Sequence, residues 1–320
     1  YGDWSSDVCS SDLGFTDVGF MAHSLVADHY QHMALLGVTA VVAAAWERWR
    51  RSGTRPRIGV SRGVAAVAGV TLLVLTSLAV LGQYRRRPDA RTARDFPSDA
   101  GEEPPTWTNN PAFREDVFTF ARVRYANSSF RYARRGGGDW TTDAPDSDLN
   151  FSYRLQQMTS IRCDPDGQVV DLADPQLARY PWLYMVEPGW LDLSEEEVGA
   201  LRRYLLNGGF LMVDDFWGQD QWENFHQQMK RVFPDREPEE LEMDHPIFHC
   251  VFDIRLPKQE MQVPNYGVGE ESQYTGITWE VRWGETARDV HFKAYYDDRR
   301  RMVAFIAHNT DNGEIGRAHV

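Results

Sequence analysis

Two adjacent carboxylates, Asp214 and Asp215, follow the apolar run Phe210–Val213, and a polar string, His308-Asn309-Thr310-Asp311, follows the apolar run Met302–Ala307. Glu187 follows the apolar run Trp182–Val186, and Tyr125 closes the alternating run Val117–Tyr125. If these runs are neighbouring parallel strands, the residues after them share one rim, where open α/β sheets bind ligands. Carboxylates beside a histidine suit acid–base work. The same carboxylates suit a hard cation held through oxygen ligands. Trp217, two residues past Asp215, offers an aromatic surface for a sugar or peptide. A bland account stands beside these: Asp214 caps a helix or solvates a loop, and His308 is a hydrogen-bonded loop residue. The candidate ligand-binding residues are Tyr125, Glu187, Asp214, Asp215, Trp217, His308, Asn309 and Asp311. None is assigned a catalytic role, and no metal or cofactor is assigned.

Other arrangements are weaker. No G-x-S-x-G or G-x-C-x-G elbow stands at a plausible strand end, and the turn after Val213 reads Asp-Asp-Phe-Trp-Gly where such an enzyme needs Ser or Cys. That argues against an esterase or amidotransferase mechanism and leaves enzymatic activity open, with the balance against it. Arg134–Gly138 lacks the spacing of a phosphate-cradling loop. His245 and His249 are four apart, but Pro246 disfavours the helix that would turn both to one zinc ion. Cys163 and Cys250 are too far apart for a metal spacing and are expected as buried free thiols.

The elements that must position the rim are legible in the residue pattern. Val117–Tyr125 alternates like a strand. Phe151, Leu155 and Met158 make an apolar helix stripe within 147–161. Val169–Leu172 and Trp182–Val186 read as strands. Ser194 and Glu197 form a capping box that opens a helix carrying Val198, Leu201 and Leu205, and Gly208-Gly209 stop it. After the strand Phe210–Val213, Trp222, Phe225, Met229 and Val232 mark another helix, ended by Pro234. Residues 235–290 are less regular, with short strands expected near 248–254 and 277–281, and Met302–Ala307 is a last buried strand. This alternation is the mark of an α/β fold with a mostly parallel sheet and helices on both faces.

Charge divides the chain of 320 residues. The net charge is −13, and the mean hydropathy of −0.50 looks soluble. Residues 14–95, however, hold 11 Arg against 5 acids, while residues 96–320 carry −16. So acidic a domain argues against nucleic acid as partner. Gly63–Gly82 is 20 residues without a charge, long enough at about 1.5 Å per residue to cross a bilayer of about 30 Å. Met33–Trp46, extended back to Tyr30, is a second and shorter candidate. The lipid bilayer is thus the expected partner of residues 63–82, with 30–46 as a second contact. Six Arg before the 63–82 stretch and five after it do not decide orientation. Residues 86–112, rich in Pro and charge, read as a linker between the membrane segment, 14–85, and the α/β domain, 113–313.

Three segments resemble sequences of known kinds. Residues 14–95, above all Ser24–Gln31, resemble the late membrane part of bacterial multi-span glycosyltransferases of the protein O-mannosyltransferase type. That implies an extracytoplasmic (periplasmic) location for the chain beyond the last helix, and it carries over no catalytic residue. Phe118–Tyr125, Trp140–Pro145, Asp148–Gln157, Gly208–Gly218, Asp244–Ile254 and His308–Asp311 resemble the bacterial family called domain of unknown function 4159. The resemblance spans 106–313 and implies a flavodoxin-like or class I glutamine-amidotransferase-like fold, exported or membrane-attached. The family continues past His308–Asp311, so a C-terminally truncated domain is expected. Residues 1–13 and 314–320 resemble translated sequencing adapter: one codon choice for Asp7–Leu13 has a reverse complement that encodes Glu314–Val320. The expected function is a membrane-tethered, non-catalytic ligand-binding or assembly module of the bacterial cell envelope, with an envelope protein or carbohydrate as partner. The alternatives are a hydrolase using the strand-end carboxylates and His308, and a chimera of a glycosyltransferase membrane fragment with an unrelated domain.

Overall fold

The computed structural model describes residues 90–98, 104–113, 116–128 and 139–317. All lie in the second of two units into which the chain divides after Pro88. The membrane stretches 30–46 and 63–82, the Arg134–Gly138 loop and residues 1–13 lie outside them. Among the described residues, no helix is long and apolar enough to cross a membrane.

Among the described residues, seven strands form one sheet: β1 (Ala121–Arg124), β2 (Gln168–Asp171), β3 (Trp182–Val186), β4 (Phe210–Asp214), β5 (Glu239–Glu240), β6 (His291–Tyr296) and β7 (Met302–His308). Their order is β2-β1-β3-β4-β7-β6-β5. The first five of that order pair in parallel. β6 runs antiparallel to β7, and β5 antiparallel to β6. The expectation of a mostly parallel sheet is therefore corrected at one side, where a hairpin through Asp297–Arg301 returns the chain. The helices are α1 (Asp146–Met158), α2 (Glu195–Leu206), α3 (Gly218–Val232), α4 (Tyr266–Thr275) and the short α5 (Asn312–Arg317).

Strand alternation gives the sheet two unlike faces. Val123, Met185, Leu211, Val213, Ala304 and Ile306 share one core with the inner sides of α2 and α3. Its members are nearly all inaccessible to solvent, and each buried aliphatic side chain contributes roughly 1.5–3 kcal/mol. Ser194 caps α2 as its sequence predicts, its side chain accepting the Glu197 N–H. On α3, Phe225, Met229 and Val232 are fully buried and Trp222 packs beside them.

The opposite face carries Arg122, Tyr184, Met212 and Asp214, and α1 lies over it. The expected apolar stripe of α1 faces inward only in part: Phe151 packs on Phe120 and Trp182 yet is 40% exposed, and Met158 is 57% exposed. Its first two turns bury Asp146, Ser147, Asp148, Asn150 and Ser152 with Leu149 instead. The reason is the guanidinium beneath them. Arg122, on a central strand, is fully buried, and an interior charge requires a polar partner surface.

The stretches near 248–254 and 277–281 are not strands. Pro246–His249 and Val281–Trp283 are short 3-10 turns, and Phe248 serves by packing on Phe292 of β6. Cys163 is buried as expected, whereas Cys250 is exposed. Part of the Pro-rich stretch 86–112 is docked on the domain. Ala90 and Ala93 are buried, Val169 of β2 donates to the Arg91 carbonyl at 2.8 Å, and Trp107 Nε1 donates to the Cys163 carbonyl at 2.8 Å.

Candidate functional site

The carboxyl ends of β3, β4 and β7 meet over the polar face. Asp214 is the last residue of β4, and Asp215 follows it with φ 54°. Asp311 lies three residues past the end of β7. A fourth acid arrives from far away in sequence: Asp143, with φ 62°, on the loop that enters α1. One carboxyl oxygen from each of Asp143, Asp215 and Asp311 lies within 4.8 Å of the others, and all three residues are buried. Glu187 and Asn309 also have positive φ, 48° and 63°. Four non-glycine residues around one rim thus hold a conformation that costs roughly 1–3 kcal/mol each.

Backbone bonds fix the loops. Asp215 N–H donates to the Thr310 carbonyl at 3.0 Å, Glu187 N–H to the Asp214 carbonyl at 3.1 Å, and Asp311 N–H to the Val263 carbonyl at 2.7 Å. Arg122 fixes the Asp143 loop from below. Its Nη1 donates to the carbonyls of Trp140, at 3.0 Å, and Thr142, at 2.8 Å. Its Nη2 reaches Ser147 Oγ at 2.8 Å, and Nε reaches Asp148 Oδ2 at 2.9 Å.

The strand-end carboxyls accept bonds from their own loops. Asp215 Oδ1 accepts Trp217 Nε1–H at 2.9 Å, Asp311 Oδ1 accepts the Glu314 N–H at 3.0 Å, and Asp214 Oδ2 accepts the Asn312 N–H at 2.9 Å. Asp214 Oδ1 and the Tyr184 hydroxyl are buried without a hydrogen-bond partner. The hydroxyl sits beside Asp214, close enough to favour its ionised form, but outside hydrogen-bonding geometry. Burial first, and the Asp143 charge next, push the Asp214 carboxyl up to about 7. Burial also pushes Asp215 and Asp311 well above the usual carboxylate range, with Asp311, Glu187 and Asp143 adding to it at Asp215, and Asp143, Glu314 and Asp214 at Asp311. Arg122 faces the cluster, but its charge is already paired with Asp148. Burial would lower that guanidinium; the Asp148 carboxylate outweighs it and holds it charged.

Of the eight candidates, Asp214, Asp215, Asp311 and Glu187 converge. Tyr125 acts as a brace, its hydroxyl donating to the carbonyls of Val186, 2.7 Å, and Glu187, 2.8 Å. Asn309 ties loops together: its Oδ1 accepts the Gly218 N–H at 2.8 Å, and its Nδ2 donates to the Thr286 and Asp289 carbonyls at 2.9 and 2.7 Å. His308 falls on the other face. It alternates with Ile306, its ring packs on Phe216 and Trp222, and its Nε2 lies 3.2 Å from the Gly218 carbonyl oxygen. Burial pushes its imidazole down to about 3. The sheet therefore separates His308 from Asp214, and the acid–base pair imagined from sequence is not assembled.

Trp217 stands between the cluster and a cleft. Its indole bonds Asp215 on one side, and it lines a cavity of about 290 Å³ with Gln219, Asp220, Arg282, Trp283 and Thr286. Buried Glu280 orders this wall by accepting from Arg282 Nε, 2.7 Å, and Trp283 Nε1, 2.9 Å. Arg282 also lies 5.0 Å over the Trp283 ring.

Sequence reasoning missed Asp143, Tyr184 and Arg122. Arg122 left a signal, a charge at an inward position of an otherwise apolar alternation. Asp143 left none, because only tertiary structure brings it to β4. His245 and His249 hold no common point: His245 Nδ1 accepts the Ile247 N–H, and His249 bonds Asp253 and the Met243 carbonyl.

A family model described as Domain of unknown function (DUF4159) matches residues 119–315. No curated protein matches the chain. The family match covers more than half of the chain and takes in every strand of the sheet and all four clustered aspartates, so the chain belongs to the DUF4159 family.

Proposed function

We propose that this domain is a non-catalytic saccharide-binding module of the bacterial cell envelope, tethered to the bilayer through residues 63–82. The observation that carries the reading is the cleft beside Trp217. Trp283 supplies a half-buried indole, and Gln219, Asp220, Arg282 and Thr286 surround it with exposed donors and acceptors. Sugars have apolar ring faces edged by hydroxyls, which such a mixture suits. The separation of His308 from Asp214 supports binding over the hydrolase alternative. The strand order β2-β1-β3-β4-β7 follows the doubly wound order of flavodoxin-like sheets, which supports that finer assignment. The uncharged run 63–82 supports the tether.

The test is calorimetric titration of the full chain with soluble envelope saccharides and, separately, with envelope-derived peptides. Saccharide binding that Trp283→Ala weakens roughly tenfold, about 1.4 kcal/mol, is the expected result. Peptide binding alone, or saccharide binding indifferent to Trp283, would overturn the reading.

A further inference from the structure

We propose that Asp143, Asp215 and Asp311, backed by Asp214 and Tyr184, form a binding site for one hard divalent cation, best matched by Ca²⁺. The site is distinct from the saccharide reading of the cleft and stands without it.

Distance is the first argument. Calcium holds oxygen ligands at about 2.3–2.6 Å, so two ligands on opposite sides of one ion are roughly 4.8 Å apart. The three carboxyl oxygens lie within 4.8 Å of one another, and so can share one coordination sphere. Mg²⁺ sheds its waters reluctantly and is usually held by one or two carboxylates, so a buried set of three suits it less well. The donor chemistry is the second argument. These donors are oxygens, with neither thiolate nor imidazole among them, which selects a hard ion over zinc or copper.

An independent observation points to a ligand. Tyr184 is 97% buried, and its hydroxyl, which stands beside Asp214, makes no hydrogen bond of good geometry. It is aimed at the cluster: a Cβ placed on Gly313 would stand 3.2 Å from that hydroxyl and 2.3 Å from Asp143 Oδ2. Asp214 Oδ1 is likewise buried and unpartnered. An interior hydroxyl and carboxyl oxygen left unbonded each cost about 1–3 kcal/mol or more. A cation with its bound waters in this pocket supplies the missing partners. It also offsets the mutual repulsion that burial and neighbouring charge impose on Asp215 and Asp311.

The experiment uses the full chain, stripped with EDTA and then titrated with CaCl2, MgCl2 or ionic-strength-matched NaCl. Melting temperature and calorimetric heat are the readouts. Ca²⁺ is expected to bind with one-to-one saturation and to raise the melting temperature by several degrees; Mg²⁺ should do so more weakly and NaCl not at all. Asp143→Asn with Asp311→Asn should abolish the Ca²⁺ response while melting no lower than the stripped wild type, because two repelling charges are gone. Terbium supplies a measurement that needs no aspartate variant. Trp217 bonds Asp215, so Tb³⁺ at the site should luminesce on indole excitation, with Ca²⁺ quenching the signal by competition and Trp217→Phe reducing it. Identical melting in EDTA and millimolar Ca²⁺, with no terbium emission that Ca²⁺ displaces, would overturn the proposal.

Discussion

Replacing Arg122 with methionine tests the polar interior directly. The guanidinium and the Asp148 carboxylate are 0% and 1% exposed. Arg122 also holds two carbonyls of the loop that carries Asp143. Methionine keeps most of the aliphatic stem, so little cavity forms and the loss is electrostatic. Removing one partner of a buried ion pair costs about 3–5 kcal/mol, because the other charge stays uncompensated. Here that charge lies beside a surplus of acids, so the upper half of the range is expected. Against a total stability of about 5–15 kcal/mol, Arg122→Met should lower the melting temperature by roughly 10–15 °C, taking about 2–4 °C per kcal/mol for a domain of this size. The assay is urea unfolding of the full chain, followed by tryptophan fluorescence, for the wild type, Arg122→Met, Asp148→Leu and the double variant. The double variant should be more stable than either single one by about 2 kcal/mol. A loss under about 1 kcal/mol for Arg122→Met, or simple additivity, would refute the claim that the pair neutralises a buried charge.

Two further substitutions probe the apolar face. His308 is neutral in the folded state, its imidazole pushed down to about 3 by burial, whereas the unfolded chain takes the proton near 6.5. The folded state thus loses stability as pH falls from about 6.5 towards 3, by up to about 1.4 kcal/mol per pH unit from this group. His308→Gln should flatten the curve of urea midpoints over that window, and parallel curves for the two proteins would show that His308 is charged when folded. Gly209→Ala places a Cβ 2.3 Å from the Tyr204 ring, which is held by its hydroxyl bond to the Tyr180 carbonyl at 2.8 Å. A loss of about 1–3 kcal/mol is expected, relieved when Tyr204 is also shortened to Ala; an unchanged urea midpoint would mean the ring yields freely.

The features legible in the sequence were local ones. The Ser194–Glu197 cap is a contact within one turn, so a single string predicts it. Phe225, Met229 and Val232 are legible because apolar periodicity reports an apolar core. The same logic read α1 in part: Phe151 does reach the aromatic side chains of the sheet, but the first turns bury polar side chains because they answer Arg122 on another element. His308 was misplaced for a related reason. Which face a strand-end residue occupies depends on one step of alternation, and only the observed pairing fixes it. Asp214, Asp215 and Asp311 were found because they end or closely follow strands. Asp143 was not, since nothing near it signals that its loop closes over β4. β6 was overlooked because its stretch is short and sets His291 and Lys293 among its apolar residues.

The docked stretch along β2 bears on how this domain meets other chains. Sheet edges are where a foreign strand adds itself, in aggregation and in peptide capture alike. At the β2 side that seat is taken in cis, by the Arg91 carbonyl on Val169 N–H and by Ala93 N–H on the Asp166 carbonyl at 2.9 Å. At the other side β5 is two residues long and charged, with Glu240 bridged to Lys258 and Lys293 and Glu239 to Arg300. Both margins of the sheet are thereby partly covered against strand addition. A partner has the loops beyond the strands and the outer helix surfaces to engage.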